Sequence, residues 1–266
     1  MTKIVSLDAG HGLRTSGKET PDGIKEWTLN DKVRDKVVDL LIGYDVIFIY
    51  PDGNEGNKDE SLTSRRSMYV KQDVDACVSI HHNAYLGVWG SATGVEVFVD
   101  KKSTAADREL ANLIYTRLAN YTGLKGRGVK TANWTVINQN SVPAVLVEGG
   151  FMDNKKDHAV ITSDKGQTAY AKAVAEALID FLDLKKKNST SETKPVTNVD
   201  GSFKVKFLET MNVRKGPGTK YKKTTVAKVN YVYTIVDTVD VNGVPWGKLK
   251  SGAGWVSIAD KYCKRV

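Results

Sequence analysis

Cysteine and histidine are scarce in this chain of 266 residues, which has two of the first and four of the second. Two cysteines exclude a disulfide framework, and without histidine or acidic partners they cannot complete a zinc site. Cys77 lies in a predicted buried strand and Cys263 lies close to the last residue. We therefore expect Cys77 to be a small core residue and Cys263 to be a surface thiol.

Long apolar runs are also missing. No stretch reaches the roughly eighteen apolar residues that a membrane-spanning helix needs, so no such span is predicted. The opening residues, MTKIVSLDAGHG, lack a basic region followed by an apolar stretch and a small-residue cleavage site, so no secretory signal is predicted. Apolar residues still make up 41% of the chain, which excludes global disorder.

Positive charge is concentrated in the C-terminal quarter of the chain, whose net charge as a whole is +8. Residues 201–266 hold 13 Lys and Arg against four Asp and Glu, whereas residues 1–183 hold 22 against 25. A basic region attracts polyanions, which include nucleic acids and anionic surface polymers.

Composition changes at KKKNSTSETKPVTNVDGS, a polar stretch with almost no large apolar residues. Such a stretch is typical of an exposed linker, which we place at residues 184–202. It separates a predicted domain at 1–183 from a second one at 203–266. The second domain has no helical period and many turn signals, among them KGPGTKY and DVNGVPW, which predict a small all-β barrel.

In the first domain, short β-rich runs alternate with amphipathic helical patterns. This alternation predicts an α/β fold with a mostly parallel central sheet flanked by helices. The predicted strands are residues 3–7, 45–50, 76–80, 94–99, 135–138 and 144–148.

Polar residues follow several of these strands. The run LDAGHG places His11 after the first strand, SIHHNA places His81 and His82 after the third, and LVEGGF places Glu148 after the last. The run GIKEW places Glu26 in the first turn of a helix. Functional groups of α/β proteins gather at the carboxyl ends of strands, so two imidazoles and two carboxylates are expected at one edge of the sheet.

Two imidazoles and one carboxylate form a ligand set for a catalytic zinc ion, which keeps its fourth position for water. The metal lowers the pKa of that water toward ~7 and polarises a substrate carbonyl. A second carboxylate can take the proton and pass it to a leaving amine. The set therefore contains the groups needed to hydrolyse an amide bond.

Simpler interpretations stay open for these residues. His11 between two glycines is compatible with a plain turn, and Glu26 with an interaction with the helix dipole. One of His81 and His82 could be a hydrogen-bonded structural residue. Glu148 ends a buried run, where burial raises the pKa of a carboxylate into a catalytic range. A His-Glu-x-x-His run, a phosphate-binding glycine loop and a Gly-x-Ser-x-Gly turn are all absent from the sequence.

The ordered runs LDAGHG, GIKEWTLN, VSIHHNA, GVEVFV, GRGVK and PAVLVEGGFMDNKKD resemble the zinc-dependent N-acetylmuramoyl-L-alanine amidases of the type 3 family over residues 1–183. The resemblance implies that His11, Glu26 and His81 bind Zn²⁺ and that Glu148 is the catalytic glutamate. It also implies cleavage of the amide bond between muramic acid and the first L-alanine of the peptidoglycan stem peptide.

The chain departs from the common family pattern at two positions. Ala9 stands where a proline is frequent, and His82 stands where a small residue is frequent. His82 raises the question of an exchange of ligands, but its position in the run keeps His81 as the predicted ligand. Asn83 and Arg127 are predicted to orient the substrate, and a solvated or structural role stays open for both.

The runs MNVRKGPGTKYKK and VPWGKLKSGAGWVSIADKYC resemble bacterial SH3-like domains over residues 203–266, which implies binding to the cell wall. The basic charge fits a wall rich in anionic polymers. A recognition helix or aromatic platform for nucleic acid is not recognisable, so the wall is the predicted partner and nucleic acid is not. A core role stays open for one or two of the aromatic residues. The predicted wall-binding residues are Arg214, Tyr221, Trp246 and Trp255.

The first functional hypothesis is a modular peptidoglycan amidase, and the second is a zinc peptidase or deacetylase acting on the same polymer. A wall-binding adhesion protein with a decayed site is disfavoured, because all four site positions are filled. Without an export signal, the chain resembles a phage endolysin, made in the cytoplasm of a Gram-positive host and released to the wall when the membrane opens. A bacterial autolysin secreted by another route is the alternative.

Overall fold

The structure is a computed structural model that divides the chain into two compact units, Met1–Lys187 and Asn188–Val266. Each unit has its own hydrophobic core. No helix in the described part of the chain is long and apolar enough to cross a membrane. The structure describes residues 2–41, 43–52, 59–138, 142–186 and 201–266.

The predicted linker at 184–202 begins inside the first unit. Leu184 is buried in that unit's core, and Lys186 forms a β-bridge with Tyr44. These residues pack because Leu184 supplies an apolar side chain directly after the last helix of the unit. The rest of the predicted linker, residues 187–200, lies outside the described residues.

The first unit is built on a six-stranded sheet in the order β2-β1-β3-β6-β4-β5. All neighbouring pairs are parallel except β4 and β6, so the predicted mostly parallel sheet flanked by helices is confirmed. The strands are β1 (Lys3–Ala9), β2 (Val46–Ile49), β3 (Ala76–Asn83), β4 (Val95–Asp100), β5 (Gly126–Ala132) and β6 (Ala144–Phe151). The helices are α1 (Glu26–Leu41), α2 (Leu62–Lys71), α3 (Ala105–Thr122), α4 (Lys155–Ile161) and α5 (Asp164–Leu182).

The two faces of this sheet differ because neighbouring strand residues point to opposite sides. On one side, apolar residues such as Val78 and Val147 form the main core with α1, α3 and α5. On the other side, the alternate residues include His81 and Glu148, which line a cavity. We call the first side the closed face and the second side the open face.

A second, smaller apolar cluster covers part of the open face. Tyr69 of α2 and the turn containing Val136 and Ile137 pack there against Leu146. The strand predicted at 135–138 is therefore wrong: its apolar residues fill this cluster from a turn. The missed strand is β5, a strand at the sheet edge that contains two glycines and only one buried residue, so it lacks the apolar pattern of a strand.

The second unit is an antiparallel sheet of seven strands in the order β13-β7-β10-β11-β12-β8-β9, and its described residues contain no helix. Cys263 is 4% exposed and pairs with Phe207, so the predicted surface thiol is wrong, because the last strand completes the sheet. The strands are β7 (Phe203–Phe207), β8 (Met211–Arg214), β9 (Lys223–Ala227), β10 (Val232–Val241), β11 (Val244–Leu249), β12 (Trp255–Ser257) and β13 (Cys263–Arg265).

Candidate active site

Two histidines and one glutamate converge at the open face. Nε2 of His11 lies 3.3 Å from one carboxylate oxygen of Glu26, and Nδ1 of His81 lies 3.1 Å from the other. One side-chain nitrogen or oxygen from each residue falls within 4.8 Å of the others. The imidazole rings meet edge to face at 4.9 Å. These three residues could hold a metal ion, and we call them the ligand cluster.

The electrostatics of the ligand cluster fit a cation. Burial lowers the pKa of His11 to about 4, so this ring is neutral and its nitrogen can bind a metal. Burial would raise the pKa of Glu26, but the hydrogen bond and charge of His81, with smaller contributions from His11 and the backbone N–H of His82, lower it to about 2. Burial opposes protonation of His81, yet the hydrogen bond and charge of Glu26 raise its pKa. In the metal-free site this raised pKa favours a proton on His81, which a bound cation would displace.

The backbone of β1 brings His11 to the cluster through an unusual turn. His11 has a φ of 63°, in the left-handed region that costs a non-glycine residue roughly 1 kcal/mol or more. Nη2 of Arg65 donates to the His11 carbonyl at 2.6 Å, which helps to hold this conformation. A Cβ on Gly10 would clash with the ring of His81, so only glycine lets that ring lie against the turn.

A network of buried hydrogen bonds lies behind the ligand cluster, and the sequence alone did not predict it. Arg65 donates from Nη1 to Oδ1 of Asp8 at 2.6 Å, and Oγ of Ser79 donates to Oδ2 of Asp8 at 2.7 Å. Because its proton goes to Asp8, Ser79 accepts from Nε2 of His81, 3.1 Å away. The Nδ1 atom of His81 is then left facing Glu26. Metal-binding histidines are typically oriented by such a partner on their other nitrogen.

Glu148 lies on β6 directly opposite His81 in the register of β3 and β6. Burial, together with the charges of Glu26 and Glu96, raises its pKa to about 8 against the opposing charge of His81. Its Oε2 atom is buried without a hydrogen-bond partner among the described residues. Glu148 is therefore a carboxyl group that can gain or lose a proton close to neutral pH.

These groups surround a cavity of about 660 Å³ whose walls include Lys18, Trp134 and Arg65. The cavity lies on the open face, close to the carboxyl ends of β1, β3 and β6. The sequence predicted the four polar groups at one edge of the sheet. Instead, His81 and Glu148 lie within their strands and project from the surface of the sheet.

Residues 5–180 match the N-acetylmuramoyl-L-alanine amidase family. The chain belongs to this family. It is 34% identical to the endolysin of Bacillus phage SPP1 over 98% of both chains, and 31% identical to the amidase LytC of Bacillus subtilis over 67% of this chain and 34% of that protein.

The solved catalytic domain of CwlV from Bacillus (Paenibacillus) polymyxa is 28% identical, with a TM-score of 0.62 over 69% of this chain and 99% of that one. The crystal structure of the amidase from Clostridium difficile 630 is 26% identical, with a TM-score of 0.64 over 71% and 99%. The protein is thus an N-acetylmuramoyl-L-alanine amidase, an enzyme class that acts on peptidoglycan.

In this amidase, the ring of His82 lies apart from the ligand cluster, although its backbone N–H donates to Oε1 of Glu26 at 3.2 Å. Its ring packs edge to face on Tyr170, and its Nδ1 lies 2.8 Å from Oδ1 of Asn30. Asn30 also donates to the carbonyl of Gly10 at 3.1 Å. Burial lowers the pKa of His82 to about 4, so the ring is neutral. His82 therefore connects α1, α5 and the turn before His11 from the closed face.

Asn83 and Arg127, predicted to orient the substrate, both bind a residue that the sequence did not reveal. Nδ2 of Asn83 donates to Glu96 at 2.7 Å, and Nε of Arg127 donates to its other oxygen at 2.8 Å. Glu96 is buried and lies opposite Glu148 in the register of β4 and β6. Its position inside the apolar run GVEVFV gave no indication of a buried charge.

The predicted wall-binding residues of the amidase are in different surroundings. Trp246 is 5% exposed, which leaves little of its indole surface for contact with a wall polymer. Arg214 donates from Nη1 to the carbonyls of Thr219 and Tyr221, so its guanidinium holds a turn. Tyr221 is 38% exposed and Trp255 is partly exposed, which leaves ring surface available on both.

Proposed function

We propose that this amidase is a zinc-dependent enzyme that cleaves the amide bond between N-acetylmuramic acid and the L-alanine of the stem peptide. Its ligand cluster would bind Zn²⁺ and Glu148 would be the catalytic glutamate. One observation carries the proposal: in a site where His11, Glu26 and His81 bring donor atoms within 4.8 Å of one another, the carboxyl groups of Glu26 and Glu148 have pKa values of about 2 and about 8. Environments that separate two carboxyl groups in this way assign them different roles, here ligand and acid-base catalyst.

The donor atoms favour zinc over magnesium or calcium, which prefer oxygen ligands alone. Two neutral imidazole nitrogens and one carboxylate leave room for a substrate atom or water. When bound, the ion would polarise the scissile carbonyl and make water more acidic. The hydrogen bonds from Ser79 to Asp8 and from Arg65 to Asp8 would keep His81 in its orientation.

Glu148 carries the proton transfers in this proposal. In its ionised form it accepts a proton from the attacking water, and in its protonated form it gives that proton to the leaving alanine nitrogen. Its pKa of about 8 keeps both forms accessible near neutral pH. Its Oε2 has no partner among the described residues, so no hydrogen bond must break before the exchange.

Digestion of purified Gram-positive walls, followed by mass analysis, tests this proposal. We expect intact stem peptides with a free N-terminal alanine and intact glycan strands. Cleavage inside the peptide or release of acetate would contradict it and favour the peptidase or the deacetylase. Glu148→Gln is the inactive control, and Glu109→Gln on the exposed surface of α3 is the matched active control.

We further propose that the chain is a phage endolysin of a Gram-positive host. The similarity to the endolysin of Bacillus phage SPP1 over nearly the whole of both chains supports this origin. The similarity to amidases of Bacillus subtilis keeps a bacterial autolysin as the alternative. Production in the cytoplasm of a Gram-positive cell should leave cells intact until the membrane is permeabilised. Lysis without permeabilisation would favour the autolysin.

For residues 203–266 we propose an SH3-like domain that binds the cell wall. The antiparallel sheet, the 13 basic against four acidic residues of 201–266, and the exposed Tyr221 support it. The Glu148→Gln protein should sediment with walls, and removal of anionic polymers from those walls should weaken the binding. Tight binding to duplex DNA with no retention on walls would contradict the proposal.

A further inference from the structure

Beside Glu148, the open face carries a group of charged residues that the proposed chemistry does not use. Glu96, with a side chain only 3% exposed, accepts from Nε of Arg127 at 2.8 Å and from Nζ of Lys130. The two basic side chains are 32% and 38% exposed. We call Arg127 and Lys130 the cationic pair.

A β-bulge places both cations on this face. Residues three apart in a regular strand point to opposite sides, so Arg127 and Lys130 should diverge. The register of β5 with β4 shifts between Val95 and Val97, because β5 has one more residue there than β4. Gly128, with a φ of 91°, lies in this extra turn of the backbone. Bulges of this kind redirect side chains next to active sites.

The cationic pair carries more positive charge than is needed to neutralise the carboxylate of Glu96. One cation and the hydrogen bond from Asn83 already satisfy a buried carboxylate, and the second cation leaves a net positive charge. The guanidinium of Arg127 lies over the ring of Phe151 at 5.0 Å, which fixes its plane. Its Nη2 has no acceptor among the described residues. A partly exposed, oriented arginine beside a lysine is suited to bind a carboxylate.

The strand order indicates which part of a substrate lies over this pair. The ligand cluster involves β1 and β3, Glu148 lies on β6, and the cationic pair lies on β5 beyond β4. This step rests on the proposed function, in which Glu148 protonates the leaving nitrogen. The acyl side of the amide then lies toward the ligand cluster, and the departing peptide extends past Glu148 over β4 and β5.

We propose that Arg127 and Lys130 form a binding site for a carboxylate of the leaving stem peptide, with Glu96 as the residue that positions both cations. The site gives the enzyme a preference for acidic over amidated stem peptides. Glu96 itself does not touch the substrate, since its two oxygens are taken by Asn83 and by the cationic pair.

Two synthetic substrates test this site: N-acetylmuramoyl-L-alanyl-glutamic acid, and the same compound with both glutamate carboxylates replaced by carboxamides. For the metal-loaded wild type we expect kcat/KM to be about tenfold higher for the acid, the value of one charge-assisted hydrogen bond. In Arg127→Gln and Lys130→Met the ratio should fall toward one, mainly through the acid. Arg127→Lys should keep part of the preference. Lys125→Met should leave the ratio unchanged, because the exposed Lys125 side chain makes no hydrogen bond or ion pair among the described residues.

Equal turnover of the two substrates by the wild type, or an unchanged ratio in both variants, would overturn the site while leaving the amidase reaction intact. Cleavage at another bond would instead contradict the proposed function. Calorimetric binding of both compounds to the Glu148→Gln protein decides the question without turnover. Tighter binding of the acid that disappears in the added Arg127→Gln change supports the site, and equal binding overturns it. Thermal unfolding of each variant checks that the fold is kept.

Discussion

The closed and open faces of the central sheet are built from the same strands, but only the open face carries His81 and Glu148 beside a cavity. Val78 and Ile80 of β3 are fully buried among apolar side chains, whereas the alternate residues Ser79 and His81 belong to a polar network. The closed face gains stability from apolar burial, at about 25 cal/mol per Å². The open face keeps the Oε2 atom of Glu148 buried without a hydrogen-bond partner among the described residues, which costs stability. The comparison indicates that alternate residues of one strand divide stability and chemistry between them.

The largest expected effect is a loss of hydrolysis from a substitution on the open face alone. Glu148→Gln keeps the shape of the side chain but cannot exchange a proton, so hydrolysis should fall by about 10³-fold. Zinc content should stay at the wild-type value, because Glu148 is not in the ligand cluster. The rate of peptide release measures hydrolysis, and metal analysis measures the zinc content. Activity above a tenth of the wild type would remove Glu148 from its catalytic role.

The closed face should respond in the opposite way. Leu118 of α3 is fully buried in the main core, so Leu118→Ala should lower the free energy of unfolding by about 3 kcal/mol. The kcat measured well below the unfolding temperature should stay close to that of the wild type. Leu40→Ala is the matched control, since Leu40 is 43% exposed and its loss should cost under about 0.5 kcal/mol. A large fall in kcat for Leu118→Ala would show that the two faces are coupled.

The pH dependence of stability sharpens the same comparison. In metal-free protein, Glu148 has a folded pKa of about 8 and an ordinary pKa of 4.5. A raised pKa contributes stability at low pH that is lost as pH rises from about 4.5 through about 8. The Glu148→Gln protein lacks this loss, so it should become more stable than the wild type as pH rises across that window. Denaturant unfolding of chelator-treated proteins at several pH values measures the difference, and parallel curves for the two proteins would contradict it.

The smallest effect concerns the network behind the ligand cluster. Ser79→Ala removes the acceptor for Nε2 of His81 and one donor to Asp8, so zinc affinity should fall by about 10- to 100-fold. Competition with a chromogenic chelator measures the affinity. Ser6→Ala is the matched control on β1, because the buried Ser6 hydroxyl has no partner among the described residues. Equal affinities for both variants and the wild type would remove Ser79 from the site.

Much of this architecture is predictable from local pattern. Apolar runs at β1, β3 and β6 have the correct positions, and their polar terminal residues indicate where chemistry gathers. The strand predicted at 135–138 is wrong because two apolar residues between two polar ones are equally compatible with a buried turn. The edge strand β5 was missed because Gly128 and the exposed side chains around it lack the pattern of a buried strand.

The supporting residues were beyond the reach of sequence patterns because their partners are distant along the chain. Arg65 and Arg66 are adjacent and chemically identical, yet only Arg65 is buried against Asp8, 57 positions away. Arg66 instead binds the carbonyl of Asn138 at the surface. Glu96 likewise depends on cations that a bulge in another strand brings to it. Nothing in the local sequence distinguishes these residues from their neighbours.

The adjacent histidines of β3 provide the most direct test of the division between the two faces. Zinc content per chain should be measured for metal-loaded His81→Ala and His82→Ala proteins that both keep the circular dichroism of the fold. The open-face assignment predicts that His81→Ala loses the zinc and that His82→Ala keeps about one ion per chain. Retention by His81→Ala with loss by His82→Ala would reverse the assignment and contradict the account.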